Sequence, residues 1–374
     1  MEIHLLKIFK KEKIKMKKID IKQYLEKQKP EIDRLIKKYL PKKITKKWLN
    51  FVFGRAHYLY SQKAAKEVLL NPIHESLGQG GKRWRSCLFL LITKAVGGDI
   101  KKIKDFLIIP EFIHQGSLCI DDIEDDSKLR RGRPCLYLIF GTDVAINVGN
   151  FLYFFPLILL IKNKNKFRPE TLIKAYELYI EEMTKLHLGQ GTDIYWHKGR
   201  AKEIKEKEYL QMCAFKTGCL SRLASKLAVI LSEKDDQLVE KIGKTVEALG
   251  IAFQIQDDIL DLTLKGKERK KFGKSFGNDI KEGKRTLIII HTLKKANKKD
   301  KKRLLEILNK HTDKFKEKKE AIEIIERYGG KEYAQRIAQK LVKKNWQEIE
   351  KLLPESEAKT KLKELVNYLI ERKI

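Results

Sequence analysis

Cysteine is scarce in this 374-residue chain, and the few cysteines present do not have the spacing of a metal or disulfide site. The five are Cys87, Cys119, Cys135, Cys213 and Cys219. None belongs to a C-x-x-C pair and their number is odd, which argues against a zinc site and against a disulfide framework. Free thiols are typical of reducing compartments, so we expect a cytoplasmic protein.

The chain also lacks the alternation of apolar and polar residues that is typical of half-buried strands. Apolar residues instead recur at helical spacing, for example in Tyr176–Leu188 and Tyr209–Leu231, and only eight prolines occur. The sequence therefore predicts an all-α protein. We expect one helical domain over residues 19–374, preceded by a basic extension of residues 1–18.

A convincing membrane span is missing as well. The most apolar segment, Val144–Ile161, approaches the length of a span. Asn147, Gly149, Asn150 and Pro156 interrupt it, and charged segments flank it. We interpret this segment as a buried core helix and expect no transmembrane segment.

Negative charge is in the minority, since 50 acidic residues stand against 81 lysines and arginines, a formal net charge of +31. Such an excess suits nucleic acid, an anionic membrane surface or small anionic substrates. The densest basic runs are Lys7–Lys18, Lys265–Lys274 and Lys294–Lys302. They do not carry aromatic residues interleaved in the manner of a single-strand binding surface. We therefore expect no nucleic-acid partner; salt-sensitive binding to duplex DNA would favour that alternative.

Two acidic clusters have the form D-D-x-x-D, namely Asp121–Asp126 and Asp257–Asp261. Each cluster follows an apolar helical segment. Carboxylates three and four residues apart share a helix face, and they repel one another unless cations compensate them. Mg²⁺ prefers carboxylate oxygens and commonly takes further ligands from substrate phosphates. The clusters therefore predict a magnesium site, with the candidate ligands Asp121, Asp122, Asp125, Asp257, Asp258 and Asp261.

Basic residues in glycine-containing segments supply candidate phosphate-binding groups. The segment Gly80–Arg85 places three cations at the start of an apolar helix, where phosphate binds well. Arg130 and Arg131 are expected within one to three helical turns of the first acidic cluster. The remaining candidates lie in Lys216–Gly218, within an apolar helix, and in Gly273–Lys284.

Six segments of the chain occur in an order that resembles the polyprenyl synthetase family, the trans-isoprenyl diphosphate synthases. They are GGKRWR, HQGSLCIDDIEDDSKLRRGRP, GQGTDIYWHKG, FKTG, FQIQDDILDL and GKSFGNDIKEGKRT. The similarity runs from about His74 to the C-terminus and is greatest to geranylgeranyl diphosphate synthases. It implies an isoprenoid synthase type I fold, which is one large helical bundle with a central substrate cavity. It also implies two or three Mg²⁺ ions and a homodimer.

The resemblance implies a role for each matched residue. Asp121, Asp125, Asp257, Lys216 and Arg130 match the catalytic groups of the family. The residues that match the isopentenyl diphosphate site are Lys82, Arg85, His114 and Arg131. Those that match the allylic diphosphate site are Arg130, Lys216, Thr217, Gln254, Lys274 and Lys284. Asp121 and Asp125 match the Mg²⁺ ligands of the family's first motif, with Asp122 supporting them. Asp257 and Asp261 match the second motif, with Asp258 between them.

The implied function is that of a trans-prenyltransferase, which condenses isopentenyl diphosphate with an allylic diphosphate. Small residues at Gly116 and Ser117 would not stop the growing chain at farnesyl length, so we expect geranylgeranyl diphosphate. Phe112 and the residues near His187 and Leu188 are candidates for the floor of the tunnel. The alternatives are a longer-chain synthase, a type I terpene cyclase and a non-catalytic partner subunit. The cyclase would not need GGKRWR, and the partner subunit would have lost aspartates or arginines.

Overall fold

The computed structural model describes residues 20–264 and 276–371, and helices dominate that part of the chain. The helices of the N-terminal half are α1 (Ile21–Tyr39), α2 (Lys46–Phe53), α3 (Gln62–Ala65), α4 (Asn71–Gly78), α5 (Trp84–Ala95), α6 (Ile100–Ile103), α7 (Ile109–Glu124), α8 (Leu136–Phe140), α9 (Thr142–Lys162) and α10 (Pro169–His197). Those of the C-terminal half are α11 (Glu206–Cys213), α12 (Cys219–Leu231), α13 (Asp236–Thr263), α14 (Asn278–Lys281), α15 (Leu287–Lys295), α16 (Lys298–Asn309), α17 (Phe315–Arg327), α18 (Gly330–Leu352) and α19 (Glu357–Glu371). The predicted all-α class is confirmed.

Shorter elements connect some of these helices. The 3₁₀ turns are Lys104–Ile108 and Lys164–Lys166, and the π-turns are Lys66–Leu70 and Ala214–Gly218. The strands β1 (Leu129–Arg130) and β2 (Arg133–Pro134) form an antiparallel pair in which Leu129 lies opposite Pro134. The predicted extension of residues 1–18 lies outside the described residues, and the domain boundary stays a prediction.

Polar side chains fix where several helices begin. Asp20 accepts a hydrogen bond from the backbone N–H of Lys22, and Thr45 accepts one from Trp48. Asp235 does the same at the start of α13. Such caps satisfy backbone donors that the helix leaves unpaired, and each contributes about 1 kcal/mol.

The helix α12 lies at the centre of the bundle. All of its residues, Cys219–Leu231, are buried, and it packs against α5, α7, α10 and α13. A buried cation on this helix, Arg222, donates to Glu182 of α10 at 2.7 Å and also pairs with Glu247 of α13. A helix that is buried on every side must compensate such charges, and this network does so.

Close helix crossings shape the space in front of α12. At Gly116 of α7, an added Cβ would lie 2.9 Å from the carbonyl oxygen of Gly149 on α9. At Gly189 of α10, it would collide with the backbone at Lys216. Both glycines are therefore needed for the approach of neighbouring backbones, and the second one brings α10 against the π-turn.

The predicted helix Tyr209–Leu231 is present, but it is not continuous. It consists of α11, the π-turn Ala214–Gly218 and α12. A π-turn accommodates one extra residue within a helix and occurs frequently at functional sites. Here it carries Lys216 and Thr217 to the wall of a cavity.

The apolar segment around Val144–Ile161 forms α9, which is long and apolar enough to cross a membrane by length and composition. Half of its most apolar window is buried, and its Gly149 packs against α7. We therefore describe it as a helix of the bundle. Its outward face exposes Ile146, Phe154 and Ile161.

Candidate active site

A cavity of about 750 Å³ lies among α5, α7, α9, α10, α12 and α13. Asp121 and Asp125 line it from α7, and Asp257 and Asp258 line it from α13. The two acidic clusters, which are more than a hundred residues apart in the sequence, thus share one cavity. This is the arrangement that the sequence predicts for a common cation site.

Two lysine ammonium groups lie among these carboxylates. Lys216 Nζ is 3.3 Å from Asp121 Oδ1, and Lys284 Nζ is 2.8 Å from each oxygen of Asp125. A third carboxylate, Asp193 of α10, accepts from both lysines, at 2.6 Å from Lys216 and 3.0 Å from Lys284. The positive charge of the lysines compensates the buried carboxylates.

These contacts set the protonation of the first cluster. Burial by itself would raise the pKa of Asp121, but Lys216, Lys284 and Arg130 hold that pKa well below its usual range. Burial raises the pKa of Asp125 above its usual range, and the charge of Asp121 adds to this effect while Lys284 opposes it. Burial disfavours the charged lysines, but Asp193 and the cluster raise the pKa of both. The site therefore keeps its lysines protonated.

The donor set of the cavity fits a hard divalent cation. An acidic wall is formed by Asp121 and Asp125 of α7 with Asp257 and Asp258 of α13. Carboxylate oxygens are the ligand type that Mg²⁺ prefers, and those of Asp121 and Asp125 already lie beside compensating positive charge. Among residues 20–264 and 276–371, no three acidic, imidazole or thiol groups are grouped closely enough to hold an ion alone. Mg²⁺ is commonly bound by one or two carboxylates together with substrate phosphates, so a diphosphate would complete its coordination.

Two of the predicted metal ligands do not line the cavity. Asp122 accepts a hydrogen bond from Arg130 Nε at 2.9 Å and a second bond from the same guanidinium. Asp261 is fully buried and accepts from the backbone N–H of Asp279 at 3.0 Å. In this structure Asp122 therefore orients Arg130, and Asp261 anchors the segment that leads to Lys284.

The predicted helical position of Arg130 and Arg131 is wrong, because α7 ends at Glu124 and both arginines lie in the β1–β2 hairpin. Arg131 has a left-handed backbone (φ 52°), and its guanidinium donates to the carbonyl oxygen of Gly80. The hairpin nevertheless brings both arginines to the cavity. Arg130 also lies 3.6 Å from Asp121, so it joins the acidic wall from the side.

A basic wall of the same cavity contains the residues predicted for isopentenyl diphosphate. Lys82, Arg85, His114 and Arg131 all line it. Burial, together with the charges of Arg85 and Arg131, holds the pKa of His114 well below its usual value. The imidazole is therefore neutral, and the positive charge of this wall comes from the lysine and the arginines.

The remaining cation of GGKRWR, Arg83, also lines the cavity, but its guanidinium is paired with two carboxylates. It also has a left-handed backbone (φ 52°), and its guanidinium lies 3.0 Å from Asp33 and 3.6 Å from Glu111. Its side chain is 5% exposed, and its charge mainly compensates these two carboxylates. These ion pairs tie the start of α5 to Asp33 of α1 and Glu111 of α7.

A chain of hydrogen bonds supports the second acidic cluster. Thr217 donates to Gln254 at 2.8 Å, and Gln254 donates to Asp258 at 2.8 Å. Tyr209 of α11 donates to the same carboxylate at 2.8 Å. Of the residues predicted for the allylic site, Gln254 thus contacts the acidic wall directly and Thr217 is connected to it through Gln254.

Sequence reasoning assigned no role to Gln190 and Asp193, which lie one turn apart on the cavity face of α10. Gln190 donates to Asp121 at 3.0 Å and to Glu124 at 2.6 Å. The signal was present in the segment GQGTDIYWHKG, which places an amide and a carboxylate in an amphipathic helix. Another predicted residue, Lys274, lies outside the described residues.

The apolar part of the cavity differs from the predicted tunnel. Its walls are formed by Ser117, Leu118, Ile120, Tyr153, Leu186, His187, Met212, Leu220 and Phe253, together with Trp84. The rings of Tyr153 and His187 pack edge to face, with their centroids 5.4 Å apart. This pair joins α9 to α10 at the wall of the cavity.

Three predicted tunnel residues lie elsewhere. Gly116 lies at the crossing of α7 and α9, so a side chain there would push against the backbone of α9. Phe112 is fully buried in the core and packs on Phe155. Leu188 is 62% exposed. Among the predicted positions, Ser117 and His187 are the ones that line the cavity.

Comparison with known proteins gives a consistent result. The polyprenyl synthetase family profile matches residues 66–325. A short chain isoprenyl diphosphate synthase of Methanothermobacter thermautotrophicus is 34% identical over 306 residues, which cover 82% of this chain and 91% of the relative. A geranylgeranyl pyrophosphate synthase of Dictyostelium discoideum is 34% identical over 294 residues, with 78% and 91% covered. The crystal structure of a geranylgeranyl pyrophosphate synthetase from Pyrococcus horikoshii superimposes with a TM-score of 0.80, at 29% identity, over 95% of this chain and 99% of that one.

Proposed function

Because this chain belongs to the polyprenyl synthetase family and is a trans-prenyltransferase, we propose that it adds isopentenyl diphosphate to an allylic diphosphate and that its main product is geranylgeranyl diphosphate. One observation carries this proposal. An acidic wall with two embedded lysines and a separate basic wall line the same cavity, which also has an apolar part. Such a cavity offers two places for diphosphate groups and one for a hydrocarbon chain.

We assign the allylic diphosphate to the acidic wall. Lys216, Lys284 and Arg130 supply its positive charge, and Asp121, Asp125 and Asp257 are the carboxylates proposed to hold two or three Mg²⁺ ions. Bound there, the metal would stabilise the negative charge of the leaving diphosphate. Lys82, Arg85, His114 and Arg131 are proposed to hold isopentenyl diphosphate on the basic wall.

The reaction begins when the allylic C–O bond breaks and its electron pair leaves with the diphosphate. The resulting carbocation forms a new C–C bond with the double bond of isopentenyl diphosphate, and loss of a proton restores an alkene. Lys216 and Lys284 donate to the diphosphate oxygens as their negative charge develops, which lowers the barrier because these donors are already in place. We propose that the released diphosphate accepts the proton.

The product length is proposed from the apolar part of the cavity. Ser117 leaves space below the first acidic cluster, and the ring pair of Tyr153 and His187 lies at the cavity wall. A small residue at position 117, together with this ring pair, favours a product longer than farnesyl and of limited length. A longer-chain synthase is the alternative, and it would need a passage beyond that pair.

We further propose that the protein is a homodimer. Two neighbouring helices expose apolar stripes at intervals of seven and eight residues: Ile146, Phe154 and Ile161 on α9, and Ile173, Ile180, Leu188 and Tyr195 on α10. Phe154 is 71% and Ile180 63% exposed. Exposed apolar stripes of this kind favour an interaction site. A second copy of the chain that presents the same stripes would cover it.

A cytoplasmic location is also part of the proposal. It is supported by the cysteines, all five of which are free and buried. A reducing compartment keeps such thiols reduced.

The test of the proposed function is an elongation assay. Purified protein is incubated with labelled isopentenyl diphosphate, Mg²⁺ and dimethylallyl, geranyl or farnesyl diphosphate in turn, and the products are separated by chain length. We expect elongation that stops mainly at twenty carbons and disappears when EDTA removes the metal. Folded, metal-loaded protein that elongates none of the primers would contradict the proposal and favour a partner subunit or a cyclase.

A further inference from the structure

Asp193 is a buried carboxylate between two lysines that come from different parts of the chain. It lies on α10 and is 4% exposed. Lys216 reaches it from the π-turn at 2.6 Å, and Lys284 reaches it from the segment after α14 at 3.0 Å. One carboxylate thus joins three elements of the cavity wall.

The contacts of Asp193 differ from those of the acidic clusters. Asp121 and Asp125 each contact one of the two lysines, whereas Asp193 contacts both. If Asp121 and Asp125 used their oxygens to hold a cation that also binds a diphosphate, the lysines would lose those carboxylates as partners. Asp193 would then remain as the shared partner that keeps the two ammonium groups side by side.

We propose that Asp193 is a positioning residue, which holds Lys216 and Lys284 at the spacing required to bind the diphosphate of the allylic substrate. The inference rests on the proposed function, because it takes the acidic wall as the allylic site. Its action is indirect: the carboxylate does not contact the reacting atoms, and its effect on the substrate passes through the two lysines. Charge-assisted hydrogen bonds of this kind fix geometry as well as supplying energy.

The matched control is Glu182, a second buried carboxylate on the same helix. It lies eleven residues before Asp193, which is about three helical turns, and is 1% exposed. It pairs with Arg222 in the core and lies 3.6 Å from Lys185, and it does not line the cavity. Replacement of Glu182 removes a buried charge outside the cavity, so it shows the effect of such a loss on the fold without a direct effect on the site.

The experiment compares Asp193→Asn, Asp193→Glu and Glu182→Gln with the unchanged protein. For each, KM and kcat are measured for both substrates, and the binding of a non-ionising allylic thiolodiphosphate is measured by calorimetry with Mg²⁺. We expect Asp193→Asn to weaken analogue binding and raise the allylic KM by about 10- to 100-fold. The KM for isopentenyl diphosphate should change by less than about twofold, and Asp193→Glu, which keeps the charge, should recover part of the loss. Glu182→Gln should leave both KM values unchanged.

Three results would overturn the inference. The first is an Asp193→Asn protein that binds the analogue as the unchanged protein does. The second is an equal loss for both substrates, or the same loss in Glu182→Gln, since either would show a general effect on the fold. The third is that neither Asp193 variant folds, as judged by circular dichroism, which would assign the side chain to stability. Absence of elongation by the unchanged protein would instead refute the proposed function, so the two failures are distinguishable.

Discussion

Replacement of Ser117 by phenylalanine should shorten the product. Ser117 lies four residues before Asp121 on α7, which is about 6 Å along the helix axis, and it lines the cavity below the acidic cluster. Its hydroxyl donates to the backbone carbonyl of His114 at 2.9 Å, so the side chain is held against its own helix. A phenylalanine ring at this position would project into the space that a growing chain needs.

The size of the effect follows from the cost of overpacking. Insertion of extra atoms into a filled site costs about 1–3 kcal/mol, which corresponds to a change of about 5- to 150-fold in a ratio of rates. The variant should therefore shift the ratio of fifteen-carbon to twenty-carbon product by about one to two orders of magnitude. It should do so without loss of the first condensation, because the shorter chain does not reach the new ring.

The assay uses labelled isopentenyl diphosphate with geranyl diphosphate, followed by removal of the diphosphate and separation by chain length. Gly116→Phe is the informative comparison, because its side chain would meet the Gly149 carbonyl oxygen and disturb the α7–α9 crossing. We expect that variant to lose stability and not to yield a clean shorter product. An active, folded Ser117→Phe enzyme with an unchanged product would refute this account of the tunnel.

Three further predictions follow from the described contacts. Asp121→Ala should abolish measurable turnover while circular dichroism shows an intact fold, and near-normal turnover would contradict the metal assignment. Phe154→Glu should convert a dimer into monomers in analytical ultracentrifugation, whereas Phe315→Glu, which changes an exposed phenylalanine on α17, should not; equal behaviour would contradict the proposed interface. Glu182→Ala should lower the free energy of unfolding by about 3–5 kcal/mol, because it leaves Arg222 buried with one partner fewer. Urea denaturation measures that change, and a loss below 1 kcal/mol would show that the pair is dispensable.

The sequence was a good guide to the helices and to the general location of the site. Helical periodicity predicted the long helix that contains Tyr176–Leu188, and it is α10. The two acidic clusters were expected to meet, and Asp121 and Asp257 line the same cavity. These predictions succeed because apolar spacing determines which helix face is buried, and residues on a buried face converge when helices pack around one centre.

Spacing within a motif was a weaker guide to the direction of individual side chains. Asp122 lies beside Asp121 in the sequence, but adjacent residues on a helix point about 100° apart. Its carboxylate meets Arg130 instead of the cavity. Arg83 follows Lys82 directly and also lines the cavity, but its guanidinium donates to Asp33. Arg130 is eight residues from Asp122, beyond the end of α7, and Asp33 is 50 residues from Arg83, so helical spacing within a motif does not show either contact.

Helix crossings were also beyond the reach of the sequence. Because Gly116 is small, the sequence suggested that it leaves space in the tunnel. In the structure, the absence of a side chain at Gly116 instead allows α9 to approach α7 closely. Asp193 was not singled out although it lies in the segment GQGTDIYWHKG, because that segment does not show what the carboxylate contacts. Its role depends on Lys216 and Lys284, which the fold brings to it from other elements.

The π-turn Ala214–Gly218 also has a consequence for how this protein tolerates change. The turn contains one residue more than a regular helical turn, so it sets the rotation of everything that follows it. Deletion of a single residue here would rotate α12 by about 100° relative to α11. All thirteen residues of α12 are buried, so the rotation would misplace the centre of the bundle together with Thr217. The length of this short segment is therefore constrained by the packing of the core as much as by the chemistry of the cavity.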